Sequence, residues 1–299
     1  MPSAKFKSFL HLHFLVFIAG FTAILGELIT IRAIPLVWYR MIIAVILVFF
    51  FIKFTKTNIK IAPRNILKLS IAGIIIALHW ITFFGSIDES NISIALSMFS
   101  TGAFFASLIE PMIFKRKIIG YEVIFGLLVV LGVLIITQSE IRHLKGIILG
   151  LVSAFLSAFF AVLNGSFLKQ FTATTITFYE FVSGIVFITI VMLIFGYGYT
   201  PEIFDLSNSD LIYLLILGSV CTAYAFIGAV YVMHHISPFT VMLTYNLEPV
   251  YGILLAILLF PEKETMSPNF YYGAFIIIGA VLLNAYLKSK RGFVKRNLT

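Results

Sequence analysis

The sequence predicts an all-α membrane protein of ten transmembrane helices, arranged as two inverted five-helix repeats. Composition is the first observation: 61% of the 299 residues are apolar and 11% are charged, and the mean hydropathy is +1.07. A soluble domain is about half apolar and about a quarter charged. Ten crossings of about 20 residues leave about 100 residues for loops and ends. The composition therefore excludes an ordinary soluble protein and leaves no length for a large extramembrane domain.

Ten apolar segments are long enough for membrane helices. They are unbroken, whereas strands of a membrane barrel alternate apolar and polar residues, so helices are predicted. Lys5 and Lys7 precede the first segment as in a signal peptide, but no small-residue cleavage site follows, and we expect a retained helix. The predicted spans are 11–31, 35–52, 67–87, 92–114, 120–138, 146–167, 174–196, 211–233, 238–260 and 269–287.

Charge distribution is the second observation. With ten crossings, sixteen of the 21 Lys and Arg residues fall on one side of the membrane, and such residues concentrate in cytoplasmic loops. We therefore expect a multi-pass protein of the plasma (inner) membrane with both termini in the cytoplasm. The net charge of +8 then reflects topology and attraction to anionic lipid, and no nucleic-acid partner is expected. The single cysteine, Cys221, excludes an internal disulfide and a multi-thiolate metal site.

An internal repeat is the third observation. A shift of 147 residues aligns 90–96 with 237–243, and Gly126 and Gly132 with Gly273 and Gly279. The halves, 1–140 and 145–299, form one membrane domain with five spans each. Because five is odd, the second half is inverted relative to the first, an arrangement that secondary transporters use for alternating access.

Several motifs resemble the EamA type of the drug/metabolite transporter superfamily over nearly the whole chain. They are Arg40 in span 2, Ser90–Leu96 at the start of span 4, Glu248-Pro249 in span 9, Pro261-Glu262-Lys263, and Gly273 with Gly279. The resemblance implies a ten-helix carrier of small metabolites, often moved outward, with a central cavity lined by spans 1, 3, 4, 6, 8 and 9. The first half departs from the family pattern at Gly102 and Lys115, where a proline and an acidic loop residue are often found.

Polar groups inside spans are the candidate site residues, because they are costly in hydrocarbon. Glu248 lies near the middle of span 9, and Pro249 is expected to free the carbonyl of Tyr245 for a substrate or cation. Glu248 could exchange a proton during transport or only hold a kink. Glu27 and Arg40 are expected at one depth, where they form an ion pair or bind a zwitterionic or anionic substrate; a purely structural pair is the alternative.

His79-Trp80 lies midway along span 3. Imidazole titrates near neutrality and indole offers a flat face for a ring or an ammonium group, although a structural role is the alternative. Asn164, Tyr224 and Asn246 are further candidates, either orienting a ligand or cross-linking helices. Glu180 aligns with Arg40 in the repeat and is expected to be structural, within reach of Lys169.

These observations favour a secondary active transporter, an exporter of a small polar or zwitterionic metabolite such as an amino acid, operating by alternating access. Motifs of hydrolases, zinc proteases and nucleotide-binding loops are absent from the sequence, so no enzyme activity, metal or cofactor is expected. The alternative is an integral-membrane enzyme or a non-transporting membrane sensor on the same bundle. Expected partners are the metabolite, the lipid bilayer, a proton or counter-ion and a second copy in a homodimer.

Overall fold

The structure is a computed structural model that describes residues 4–115, 120–195, 201–233, 235–236, 241, 244–245 and 247–296. Within these ranges every regular element is helical. The helices are α1 (Ala4–Leu28), α2 (Ala33–Thr55), α3 (Pro63–Asp88), α4 (Ile92–Phe99), α5 (Gly102–Phe114), α6 (Gly120–Ser139), α7 (Leu144–Phe167), α8 (Ala173–Phe195), α9 (Pro201–Phe204), α10 (Asn208–Gly218), α11 (Ala225–Val232), α12 (Glu248–Leu259) and α13 (Pro268–Arg296), with a 3-10 turn at Ile141–His143 and a π-helical turn at Ser219–Tyr224.

Seven helical segments of the described chain are long and apolar enough to cross a membrane. They are Phe6–Leu28, Ala33–Thr55, Pro63–Asp88, Ile92–Phe114, Ile141–Phe167, Ala173–Phe195 and Asn208–Val232, and the shorter apolar helices are Ile124–Ser139, Glu248–Leu259 and Pro268–Leu283. An all-α, integral multi-pass membrane protein is thus confirmed. The count of ten crossings stays a prediction.

Three predicted spans contain irregular backbone. Span 4 is divided at Ser100 and Thr101, whose hydroxyls each donate to the carbonyl three residues earlier, at 2.6 Å, and so compete for carbonyls that also serve the helix. Span 8 contains the π-helical turn. In span 9 helix α12 begins at Glu248, and Pro249 lies in its first turn. Backbone N–H groups in the first turn have no acceptor within the helix, so a proline is tolerated there. Irregular backbone at membrane depth is tolerated where it lines a cavity.

Two close helix contacts depend on glycine. A Cβ added at Gly73 of α3 would collide with the backbone carbonyl of Glu180 in α8. In the contact between α6 and α13, a Cβ at Gly132 would lie 2.8 Å from the carbonyl oxygen of Gly273, and a Cβ at Gly273 would lie 2.8 Å from that of Gly132. Helices α6 and α13 therefore pack backbone against backbone at this pair. Gly279 has no such role, because a Cβ there would meet no atom within 4 Å.

Candidate functional site

A cavity of about 150 Å³ lies in the centre of the bundle. Its wall comes from α1 to α5, α7, the π-helical turn, α11 and the start of α12, with Val241 and Tyr245. The lining is mostly apolar and includes several aromatic rings. The polar residues that face the cavity include Arg40, His79, Ser100, Ser157, Asn164, Tyr245 and Glu248. An apolar pocket with a few convergent polar groups is the usual form of a small-molecule site.

The cavity is placed asymmetrically between the two faces of the bundle. Asn164 lies three residues from the end of α7, and Met233 directly follows α11. At the opposite face the lining begins at least five residues from the helix ends, for example at Phe83 of α3, which is about 7 Å at 1.5 Å per residue. We call this opposite face, formed by residues 29–32, 89–91, 140–143 and 260–267, the closed face.

Arg40 is the strongest donor in the cavity wall. Its side chain is buried, and the guanidinium carbon lies 4.0 Å from the centre of the Trp80 ring, which is a cation–π contact. Nε donates to the Thr222 hydroxyl at 2.5 Å, and Nη2 lies 3.5 Å from the Cys221 carbonyl oxygen. Nη1 has no hydrogen-bond partner. Arg40 is thus held on two sides, and the N–H groups of Nη1 are still available.

The π-helical turn supplies the partners of Arg40. The Thr222 hydroxyl donates to the Leu217 carbonyl oxygen, five residues earlier, at 2.6 Å, so it accepts from Nε with its free lone pair. Such π-helical turns are frequent at functional sites. The sequence does not point to Thr222 or to Cys221 as site residues, because the extra residue in a π-helical turn leaves no mark in the hydrophobic pattern.

His79 is held from one side of its ring. Its Nδ1 lies 3.0 Å from the Ser153 carbonyl oxygen and 2.9 Å from the Ser153 hydroxyl. Because a carbonyl oxygen only accepts, we assign the proton to Nδ1, which makes Nε2 an acceptor in the neutral ring. Phe99 stacks on the ring with a centroid distance of 5.5 Å. His79 therefore presents an acceptor among aromatic rings.

Glu248 supplies the opposite charge. It is buried, it begins α12, and it lines the same cavity as Arg40. The two charges interact electrostatically, but they do not form one of the direct ion pairs between described residues. The Arg40 guanidinium and the Glu248 carboxyl therefore face one cavity without a direct ion pair.

Asn164 connects the cavity to a second buried carboxyl. Its Nδ2 donates to Oε2 of Glu180 at 3.3 Å, while Oε1 of Glu180 has no hydrogen-bond partner. Glu180 is fully buried, and it does not pair with Lys169, whose Nζ lies 5.3 Å from the centre of the Phe114 ring. The expected proximity of Glu180 to Lys169 is therefore wrong, and the alignment of Glu180 with Arg40 in the repeat is the one sequence signal that points to it.

Six of the nine predicted site residues line the cavity: Arg40, His79, Trp80, Asn164, Tyr245 and Glu248. Glu27 and Tyr224 do not. The predicted ion pair between Glu27 and Arg40 is wrong, since Glu27 binds Lys263, with 2.6 Å between Oε1 and Nζ. The Tyr224 hydroxyl lies 2.8 Å from Nε2 of His11. Asn246 lies outside the described residues.

Comparison with known proteins identifies the family. The model of the EamA-like transporter family matches residues 8–138 and again residues 144–286. The chain belongs to the EamA-like transporter family. It therefore has two EamA repeats, and members of this family are generally membrane transporters.

Solved structures agree on the fold of this EamA-like protein. One, described only as the crystal structure of a protein, has a TM-score of 0.66, 12% sequence identity and coverage of 93% of this chain and 96% of its own. At that identity the likeness concerns the fold alone. No curated protein sequence matches this EamA-like chain at a significant level.

Polar contacts join the two EamA repeats at the closed face. Besides the Lys263–Glu27 pair, Glu264 accepts hydrogen bonds from the backbone N–H groups of Ile92 and Ser93 at 3.1 and 2.9 Å. A carboxylate is well placed at the N-terminus of α4, because the free N–H groups and the helix dipole favour negative charge. The loop of the second repeat is thereby fixed onto two helices of the first.

We expect Lys263→Gln to loosen the closed face of this EamA-like protein. The hydrogen bond and the charge of Glu27 raise the pKa of Lys263, so the pair is complete below the ordinary lysine pKa and is lost as pH rises through the raised value. Loosening can be measured as labelling of Cys221 by a small charged thiol reagent from that face. Cys221 should be labelled faster in Lys263→Gln than in the wild type at neutral pH. At alkaline pH, where the wild type also loses the ion pair, the labelling rate of the wild type should approach that of the variant.

Lys263→Arg, which keeps the charge, and Lys60→Gln, which removes an exposed cation elsewhere, serve as controls. Equal labelling of Lys263→Gln and wild type at every pH would show that this pair does not hold the face closed.

Proposed function

We propose that the protein exports a small zwitterionic metabolite, such as an amino acid with an apolar side chain, by alternating access. The observation that carries this proposal is the unpartnered Nη1 of Arg40, in a cavity that also contains the Glu248 carboxyl and a cluster of aromatic rings. A buried donor of this kind is costly to leave unpaired, and a substrate carboxylate would satisfy it.

Each end of a zwitterion has a partner in the cavity. Arginine binds carboxylates through charge-assisted hydrogen bonds, and Glu248 can accept from an ammonium group. Nε2 of His79 offers a further acceptor, while Phe99, Phe160 and Phe226 surround the apolar part. A singly charged solute would leave one protein charge without its partner in a medium of low dielectric constant, so a zwitterion is preferred.

Alternating access would come from the rocking of one repeat against the other. We assign the closed face to the outside of the cell, because Lys and Arg are in excess on the other side. In this orientation the protein lies in the plasma membrane with both termini in the cytoplasm. The cavity then extends toward the cytoplasm, from which an exporter loads. Inversion of the second repeat, inferred from five spans per half, would provide the two equivalent states.

A proton is the proposed coupling ion for substrate release. Protonation of Glu248 removes the charge that binds the substrate ammonium group, so proton and ammonium would compete for one carboxyl. Exchange of one for the other would then link export to a proton gradient.

The test of function is counterflow in liposomes. Purified protein is reconstituted with a mixture of unlabelled amino acids inside, and accumulation of labelled amino acids, the matching decarboxylated amines and the matching deaminated acids is measured. We expect accumulation of one or more amino acids and little of either analogue. Failure of every amino acid to accumulate under any ion gradient would contradict the proposal, as would equal accumulation of an amine analogue.

The only cysteine of the chain provides a test of orientation. Cys221 lines the cavity, so a small membrane-impermeant thiol reagent should label it from the cytoplasmic side, in inside-out vesicles, several-fold faster than from the outside. Excess substrate should protect it. Cys221→Ala is the control for background labelling, and faster labelling from the outside would reverse the proposed orientation.

A further inference from the structure

A second buried carboxyl lies behind the cavity wall. Glu180 of α8 has no exposed surface, and it is absent from the cavity lining, which ends at Asn164. The helices that pack on α8 are α2, α3 and α11, and α7 reaches it through the Asn164 amide. The carboxyl group is therefore enclosed on every packed side by helix.

No cation among the described residues pairs with this carboxyl. The ionisable groups on the surrounding helices have other partners or are exposed. Arg40 donates to Thr222, and His79 contacts Ser153. The hydroxyls of Tyr39 and Tyr179 donate to backbone carbonyls, those of Ile203 and Ile59 respectively. The remaining ionisable side chains are exposed, among them Lys53, Arg64, Lys68 and Tyr231. Helix α7 has no ionisable side chain from Gly146 to Phe167.

The hydrogen bonding fits a neutral acid. Oε2 accepts from the Asn164 amide at 3.3 Å, a single long hydrogen bond from an uncharged donor, and Oε1 has no partner. An ionised carboxylate without water or a counter-charge is far costlier to bury than a neutral carboxylic acid. We propose that Glu180 is a proton-binding site, separate from the substrate cavity and connected to it by Asn164.

The proton balance is simple. A proton from cytoplasmic water forms the Oε1–H bond, and breaking that bond leaves the carboxylate. Because Gly73 brings the backbone of α3 against the backbone of Glu180, movement of α8 relative to α3 changes the enclosure of the carboxyl. Rocking of the repeats, which opens the closed face, would move α8 relative to α3, expose the carboxyl and favour release of the proton. This second step rests on the proposed alternating access, whereas proton binding itself does not.

Infrared difference spectroscopy of the full chain in lipid tests proton binding. At neutral pH we expect Glu180→Gln to lose a C=O band of a protonated carboxyl that Glu248→Gln retains. If Glu180→Gln does not fold, Asn164→Leu answers the same question, since loss of the hydrogen bond should shift that band to higher frequency. If Glu180→Gln folds and keeps the C=O band, or if only Asn164→Leu folds and its C=O band does not shift, the proposal is overturned.

Lys263→Gln, expected to loosen the closed face, tests release. The Glu180 band should become weaker in this variant, and the control Lys60→Gln should leave it unchanged. Undiminished intensity in Lys263→Gln would overturn the release step. Absence of amino-acid transport would contradict the proposed function but leave the Glu180 band in place, so the two failures are distinguishable.

Discussion

Replacing Arg40 by Gln should reduce the affinity for a zwitterionic substrate about 10- to 100-fold, because hydrogen bonds to charged groups contribute about 1.5–3 kcal/mol and each 1.4 kcal/mol is tenfold. The loss should fall on the carboxylate end alone. Competition in the counterflow assay would measure it, and the decarboxylated amine should compete with the variant as well as, or better than, it does with the wild type.

Glu248→Gln is the complementary variant, and it should lose discrimination against the deaminated acid instead. Arg64→Gln, which removes an exposed arginine at the start of α3, controls for net charge. Thermal unfolding of each variant separates binding from stability, since Arg40 also contacts Trp80 and Thr222. An Arg40→Gln protein that folds and keeps the wild-type preference for the amino acid would exclude Arg40 as the carboxylate-binding group.

Gly73→Ala should be the most destabilising single methyl addition among the described helices. The new Cβ would collide with the backbone carbonyl of Glu180, and backbone yields less readily than a side-chain end, so α3 and α8 must separate. Overpacking of this kind costs about 1–3 kcal/mol or more. A lower unfolding temperature in detergent, or a lower yield of folded protein, is the expected measurement.

Gly279→Ala is its matched control. A Cβ at Gly279 has no neighbour within 4 Å, and alanine is favoured over glycine in a helix by up to about 1 kcal/mol. Its unfolding temperature should equal or exceed that of the wild type. Equal unfolding temperatures for Gly73→Ala and Gly279→Ala would contradict the close contact between α3 and α8.

Much of the candidate site follows from a single rule, that polar groups inside spans are costly and so are retained for a purpose. That rule selected Arg40, His79 and Glu248, which all line the cavity. It did not select their partners. Equal depth predicts an ion pair between Glu27 and Arg40, but depth does not determine the angular position of a side chain around its helix. Glu27 pairs with Lys263 instead.

The sequence by itself determined the membrane class, the helical character and the duplication, because hydropathy, charge placement and a fixed shift are properties of a linear chain. Tertiary structure decided which polar groups share one cavity and which are enclosed behind it. Asn164 and Glu180 are 16 residues apart and on different helices, so only the packing of α7, α8 and α3 brings them together. The physical reason is that side-chain partnership depends on helix rotation and interhelical distance, which small residues such as Gly73 set.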